Sequence, residues 1–176
     1  MGFLRVEGLN KAFGGLKAVN NLNFEVAEGE ILGIIGPNGS GKTTTLNLVT
    51  GFLTPTSGKI TFRGEDITGL PRYRISQKGI ARTFQLCKPF LDFTALQNVM
   101  VGRAYGQDPS GNLKTAAVES AEILELVGMA SKSNVLVSDL TVMERKRLEL
   151  ARALATRPVL LLLDEFMAGL NPKEAD

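Results

Sequence analysis

Gly36-Pro37-Asn38-Gly39-Ser40-Gly41-Lys42-Thr43 is the stretch whose residue types and spacing carry chemistry most directly. It fits the pattern G-x-x-x-x-G-K-[ST], and a further hydroxyl follows at Thr44. Glycines let backbone N–H groups turn inward around phosphate oxygens where a Cβ would clash. A helix starting after Gly41 would add partial positive charge from its N-terminus. Lys42 is then placed for β and γ phosphates, and the Thr43 hydroxyl for Mg2+. A second stretch, Asp164-Glu165, follows the apolar run Val159 to Leu163. In open α/β sheets ligands sit beyond the carboxyl ends of strands, so acids there suit Mg2+ coordination by Asp164 and water activation by Glu165. These 176 residues contain no histidine, which excludes a Ser-His-Asp triad, a His-ligated metal and His acid–base chemistry within them. Cys87 is the single cysteine, so no internal disulfide forms, and with no His or second Cys to activate it the thiol reads as inert.

The elements around these residues follow from hydrophobic patterning. Short strands are expected at Phe3 to Val6, Asn23 to Ala27 and Lys59 to Arg63. Ile31 to Ile35 is an almost continuous β-branched and Leu run, and reads as a buried strand feeding the glycine-rich loop. Lys42 to Thr50 reads as the helix after that loop, Pro71 to Gln77 as a short Pro-opened helix, and Gly79 to Gln85 as a strand. From Thr94 to about Gly128 the pattern is helical, broken by the loop Gly106 to Gly111, with Ala117, Ala121, Leu124 and Val127 forming an expected apolar face. Leu140 to Thr156 is a further amphipathic helix, ended by Arg157-Pro158. Val159 to Leu163 suits a central parallel strand. The layout is one α/β nucleotide-binding core with a helical insertion at about 86–156.

Composition narrows the function classes. Hydrophobic residues are 44% and charged residues 22%, as in folded globular chains rather than disordered ones. Twenty Lys plus Arg against eighteen Asp plus Glu leave a formal charge of +2, so there is no electrostatic case for a nucleic-acid partner. No apolar run approaches the roughly 18 residues of a membrane span, and the first ten residues carry no long apolar segment, so no secretory signal is expected.

The phosphate loop, the apolar run before Asp164-Glu165 and the helix from Arg147 to Leu154 together resemble the ATPase subunit of ABC transporters. Lys11 to Ala18, Asp66 to Pro71, Gly79 to Gln85 and Ala168 to Pro172 narrow the likeness to the ATP-binding subunit of branched-chain amino acid importers; urea or short-amide importers are alternatives. The resemblance implies a P-loop NTPase core of the ABC ATPase type, with an N-terminal antiparallel β subdomain and a helical insertion. It divides the chain into 1–85 (core with Walker A and Q-loop), 86–156 (helical subdomain) and 157–176 (Walker B and D-loop). It implies ATP and Mg2+ as ligands, and ATP binding and hydrolysis coupled to solute uptake. Residue by residue, it places Phe13 on the adenine, Gly36, Pro37, Asn38, Gly39, Ser40, Gly41, Lys42, Thr43 and Thr44 around the phosphates, and Thr43, Gln85 and Asp164 at the metal. Glu165 becomes the catalytic acid–base residue with Gln85 beside it, and Asn171 stands where the family usually has the D-loop Asp. The implied partners are transmembrane permease subunits, a second ATP-binding subunit in a homo- or heterodimer and, indirectly, a solute-binding protein. The implied location is peripheral, on the cytoplasmic face of the inner membrane. Phe90, Leu91 and Phe93 fall in the region expected to face the permease.

Two departures stand out. Where the family has Leu-Ser-Gly-Gly-Gln, this chain has Leu140-Thr141-Val142-Met143-Glu144. The glycines that permit close backbone approach are gone, and Glu144 is expected to put a repelling carboxylate near phosphate. The sequence also stops before the family's strand carrying the switch histidine, so an incomplete copy is expected. If the 176 residues were whole, nucleotide binding with little hydrolysis, as in a nucleotide-binding regulator, would be expected.

Overall fold

The computed structural model describes residues 2–84 and 89–164. The chain folds as two compact units, 1–75 and 76–176.

The first unit is built on a four-stranded antiparallel sheet of order β2-β1-β3-β4. Its strands are β1 (Leu4–Phe13), β2 (Leu16–Val26), β3 (Ser57–Phe62) and β4 (Glu65–Asp66). A tight turn at Gly14-Gly15 closes the β1–β2 hairpin, and Gly14 takes the left-handed φ of 57° that such a turn needs. Leu4 pairs with Val26 and Val6 with Phe24, and register shifts break the ladder three times toward the turn. Leu4, Val6 and Leu9 of β1 are buried with Ile60 and Phe62 of β3. Helix α1 (Lys42–Val49) adds Leu48 and Val49 to the buried apolar set, and α2 (Arg72–Gln77) adds Ile75.

The hairpin strands are longer than the expected Phe3 to Val6 and Asn23 to Ala27. The bulges shift the side chains between faces, and this erases the simple alternation that marks a strand. Ile31 to Ile35 is a clear correction. These residues form no strand and are exposed, with Ile31 98% and Ile35 95% accessible. β propensity does not make a strand without an edge to bond to, and neither sheet among the described residues includes this run.

In the second unit β5 (Ile80–Arg82) and β6 (Leu160–Leu162) pair in parallel, Ile80 beside Leu160 and Arg82 beside Leu162. The expected parallel strand is present, but its burial is partial: Leu162 is buried while Leu163 is half exposed. Three helices accompany the pair: α3 (Ala95–Tyr105), α4 (Leu113–Leu126) and α5 (Val142–Ala155). Each starts at a side-chain cap of the preferred type, Thr94, Asn112 and Thr141. Their shared core is Ala95, Val99, Leu124, Met129, Val137, Leu140, Leu148, Ala151 and Ala155. On α4 the fully buried positions are Ala116, Ser120 and Leu124, so the stripe runs one residue ahead of the expected Ala117 and Ala121. Small residues at 116 and 120 suit close helix packing better than the larger exposed side chains of Leu113 and Val118. Helices α3 and α5 approach so closely at Gly102 that a Cβ there would stand 2.6 Å from the Arg152 carbonyl oxygen.

Candidate functional site

The phosphate loop belongs to the first unit. The Ser40 N–H donates to the Pro37 oxygen at 3.2 Å, which folds the loop into a turn. Gly41 precedes α1 with φ 91°, and a Cβ there would meet the Ala18 oxygen at 2.3 Å. A Cβ on Gly36 would stand 2.7 Å from Ser40 Oγ. Gly41 is therefore required by space as well as by backbone angle, while a side chain at 36 would press on the movable Ser40 side chain. The Lys42 ammonium donates to the Gly36 oxygen at 2.8 Å and the Pro37 oxygen at 3.0 Å. Those bonds fold the long side chain back over its own loop and fix where its charge sits. Helix α1 makes no side-chain cap bond at its N-terminus. The N–H groups of its first turn have no intrahelical acceptors, as at every helix start, and offer donors for an anion. An ammonium held over a glycine loop and an uncapped helix start fit a polyphosphate.

Phe13 ends β1 and is about half exposed, with the Lys11 ammonium 5.1 Å from the ring centroid. It is not a core residue, and its ring is accessible for stacking.

Asp164 belongs to the second unit. It follows β6 by two residues and is buried at 4% accessibility. Its Oδ2 accepts from Arg82 Nη2 at 2.7 Å, and its backbone N–H donates to Thr83 Oγ1 at 3.3 Å. The Arg82 side chain is as buried as its partner's. Thr83 N–H in turn donates to the Leu162 oxygen at 3.0 Å, so strand pairing itself sets the two residues side by side. The Glu149 carboxylate, buried on α5, accepts from the Phe84 N–H. Gln85, Glu165 and Asn171 lie outside the described residues, as does Cys87.

The donors expected for Mg2+, from Thr43, Gln85 and Asp164, are hard oxygens, the type that Mg2+ takes together with substrate phosphates, and Gln85 lies outside the described residues. Among the described residues no group of three or more His, Cys, Asp or Glu could hold a metal ion.

The family's signature position has a structure of its own. Thr141 Oγ1 accepts the Glu144 N–H at 3.2 Å, and Glu144 Oε2 accepts the Thr141 N–H at 2.8 Å, a reciprocal cap on α5. The Lys132 ammonium sits 2.9 Å from Glu144 Oε1. The expected repulsion from a free carboxylate is thus offset: Glu144 is turned onto its own helix start and paired. The bonds from Lys132 and Thr141 lower its carboxyl to about 2. A lowered folded-state value contributes stability above the ordinary carboxyl value near 4.5, and that stability is lost as pH falls toward 2. Glu144→Gln is expected to flatten the acid limb of the α5 melting curve between about pH 4.5 and pH 2, read by circular dichroism. An unchanged limb would mean the cap carries no ionic contribution.

Arg82, Lys132 and Glu149 are site-shaping residues with no role assigned from the sequence. The only signal for Arg82 and Glu149 is a charge inside an otherwise apolar run, Ile80-Ala81 and Leu148 to Leu150 respectively. Lys132 gives none.

Residues 19–168 match the ABC transporter family. The chain belongs to that family. The high-affinity branched-chain amino acid transport ATP-binding protein BraF of Pseudomonas aeruginosa is 43% identical over 98% of this chain and 72% of its own length. LivG of Salmonella typhimurium, an ATP-binding protein of the same transport class, is also 43% identical, over 97% of this chain and 72% of its own. Among solved structures, the ADP conformation of MJ1267, an ATP-binding cassette of an ABC transporter, superposes with a TM-score of 0.86 at 32% identity. It is matched over 99% of this chain and 73% of that one. The dimeric cassette MJ0796 gives 0.88 at 25% identity, over 98% and 78%. The chain has the ABC ATPase fold, and its relatives are transport ATPases.

Proposed function

We propose that this chain is the ATP-binding subunit of an ABC importer for branched-chain amino acids, powering uptake by ATP binding and hydrolysis. The observation that carries the reading is identity of 43% with BraF along 98% of the chain, phosphate loop included. In this reading Phe13 stacks on adenine, the backbone of 36–44 receives the phosphates, and Lys42 meets the β and γ groups. Thr43, Asp164 and Gln85 would hold Mg2+, which when bound neutralises phosphate charge. Glu165 would take the proton of the attacking water. Chemistry of this kind gates transport: closure of two ATP-binding subunits moves the helical segment against the permease. Phe90, Leu91 and Phe93 are exposed, and the buried Asn98 amide pins their loop by bonding both the N–H and the oxygen of Phe90 at 2.9 Å. They form the surface assigned here to the permease. The subunit then works on the cytoplasmic face of the inner membrane, with a solute-binding protein delivering cargo on the far side. No described helix is long and apolar enough to cross a membrane.

The self-capped Thr141 and Glu144 favour a heterodimer, in which a second subunit supplies an intact signature to the nucleotide held by this chain. Co-expression with the permease and a second ATP-binding subunit, reconstituted in vesicles, is expected to give ATP-dependent leucine uptake and a one-to-one ratio of the two ATP-binding chains. Uptake of urea but not leucine would replace the solute. Uptake with two copies of this chain alone would remove the heterodimer.

A further inference from the structure

Asn38 is the one asparagine in the sequence that is followed by glycine. It lies in the turn of the phosphate loop, where the Ser40 N–H closes on the Pro37 oxygen and Gly39 takes φ 81° in the third position, as in a type II turn. Both residues are exposed, and open space lies where a Cβ on Gly39 would stand. Among the described residues no hydrogen bond holds the Asn38 carboxamide or the Gly39 N–H. Other asparagine amides are tied down: Asn10 to the Gly8 oxygen, Asn23 to the Asn21 oxygen, and buried Asn98 to the Phe90 oxygen. Each of those is also followed by a residue whose side chain shields the next backbone nitrogen, Lys11, Phe24 and Val99. Glycine offers no shield and lets the chain rotate. The Lys42 ammonium bonds the Pro37 oxygen at 3.0 Å, so positive charge lies on the turn and favours negative charge developing there.

We infer that Asn38-Gly39 is a self-modification site whose reaction switches off nucleotide binding. The Gly39 nitrogen attacks the Asn38 carboxamide carbon. A C–N bond forms, the Cγ–Nδ2 bond breaks, and ammonia leaves with the Gly39 proton. Water then opens the cyclic imide, at the side-chain carbonyl to give aspartate or at the main-chain carbonyl to give isoaspartate. Water is the only co-reactant. Either product puts a carboxylate in the loop, where it repels phosphate. Isoaspartate also inserts a methylene into the main chain just ahead of the N–H groups that would face the anion. Bound phosphates would engage the loop N–H groups and slow the attack. The modification stands on the turn alone; its effect on nucleotide rests on the reading of 36–44 as the phosphate loop.

The chain is aged in mildly alkaline buffer and followed by peptide mass mapping, enzymatic methylation of isoaspartate and titration with a fluorescent ATP analogue. Asn38 is expected to convert about tenfold or more faster than Asn20, which is also exposed but is followed by Asn21. Converted protein should bind ATP roughly tenfold or more weakly. Saturating ATP and Mg2+ during ageing should slow the conversion. Asn38→Ser cannot form the imide, so its aged and fresh samples should bind ATP alike, whatever the fresh affinity is. Equal conversion of Asn38 and Asn20, with circular dichroism unchanged, overturns the inference. So does complete conversion with ATP affinity intact, or an equal loss on ageing in Asn38→Ser. All three leave the functional reading standing. A fresh, folded chain that binds no ATP overturns that reading and the switch with it.

Discussion

Lys42→Ala is expected to weaken ATP binding by roughly a hundredfold, since hydrogen bonds to charged groups contribute about 1.5–3 kcal/mol each. The side chain is held by two loop oxygens, from Gly36 and Pro37, so its ammonium is already positioned before a phosphate arrives. Alanine removes the charge and also frees those carbonyls to face the incoming anion, two losses of the same sign. Stability should change little, because position 42 opens α1 on an accessible side and alanine is a good helix former. A fluorescent-nucleotide titration at fixed Mg2+, with a thermal melt alongside, separates the two effects. Weakening of less than threefold with an unchanged melt would remove Lys42 from the phosphate site. A collapsed melt would make the residue a loop brace instead.

The phosphate loop was legible because its signal is local: eight consecutive residues, with a glycine at 41 that its backbone angle and the nearby Ala18 oxygen both require. Helices α3, α4 and α5 were legible for the same reason, since caps and apolar spacing act within a few turns. Local rules failed where pairing decides. Ile31 to Ile35 has the composition of a buried strand, but composition cannot name a neighbouring edge. The β1–β2 hairpin was half missed because its bulges scramble the two-residue period. Arg82 and Asp164 are 82 residues apart, and only the parallel register of β5 on β6 brings them together. Glu144 shows a different failure. The Thr141-x-x-Glu144 spacing is a capping box in its own right, yet comparison with a glycine-bearing motif made the carboxylate look like an intruder. Lys132, which completes its neutralisation, comes from a separate turn, Ala130–Lys132.

Arg103→Ala should be a damaging single change in the helical part, costing on the order of 2 kcal/mol through the buried packing and the bonds it loses. Arg103 lies on α3 with only 4% of its surface accessible, an unusual place for a guanidinium. Its Nε donates to the Glu119 carboxylate on α4 and its Nη1 to the Asp108 backbone oxygen in the connecting loop. One side chain therefore ties two helices and their link. Glu119 and Asp108 are also bonded by Arg157, at 2.8 and 2.6 Å, but that guanidinium is half exposed and screened by water. Removing Arg103 empties a buried position and takes away both its bond to Glu119 and its bond to the Asp108 oxygen, whereas Arg157 sits where water can replace it. Arg157→Ala should thus cost only the small amount typical of exposed pairs. Arg103→Lys should not rescue, because a compact ammonium cannot span the acceptors that the planar fork reaches. The Arg103 bond also holds the Glu119 carboxyl below its ordinary value. Its stabilising share is present above that ordinary value and disappears as pH falls through the lowered one, so acid should narrow the gap between wild type and Arg103→Ala. Urea unfolding at pH 7 and pH 3 measures both claims, through a midpoint that falls with an unchanged slope. Equal costs for Arg103→Ala and Arg157→Ala would show that burial gives the inner guanidinium no special weight, and that packing of α3 on α5 holds the helices without it.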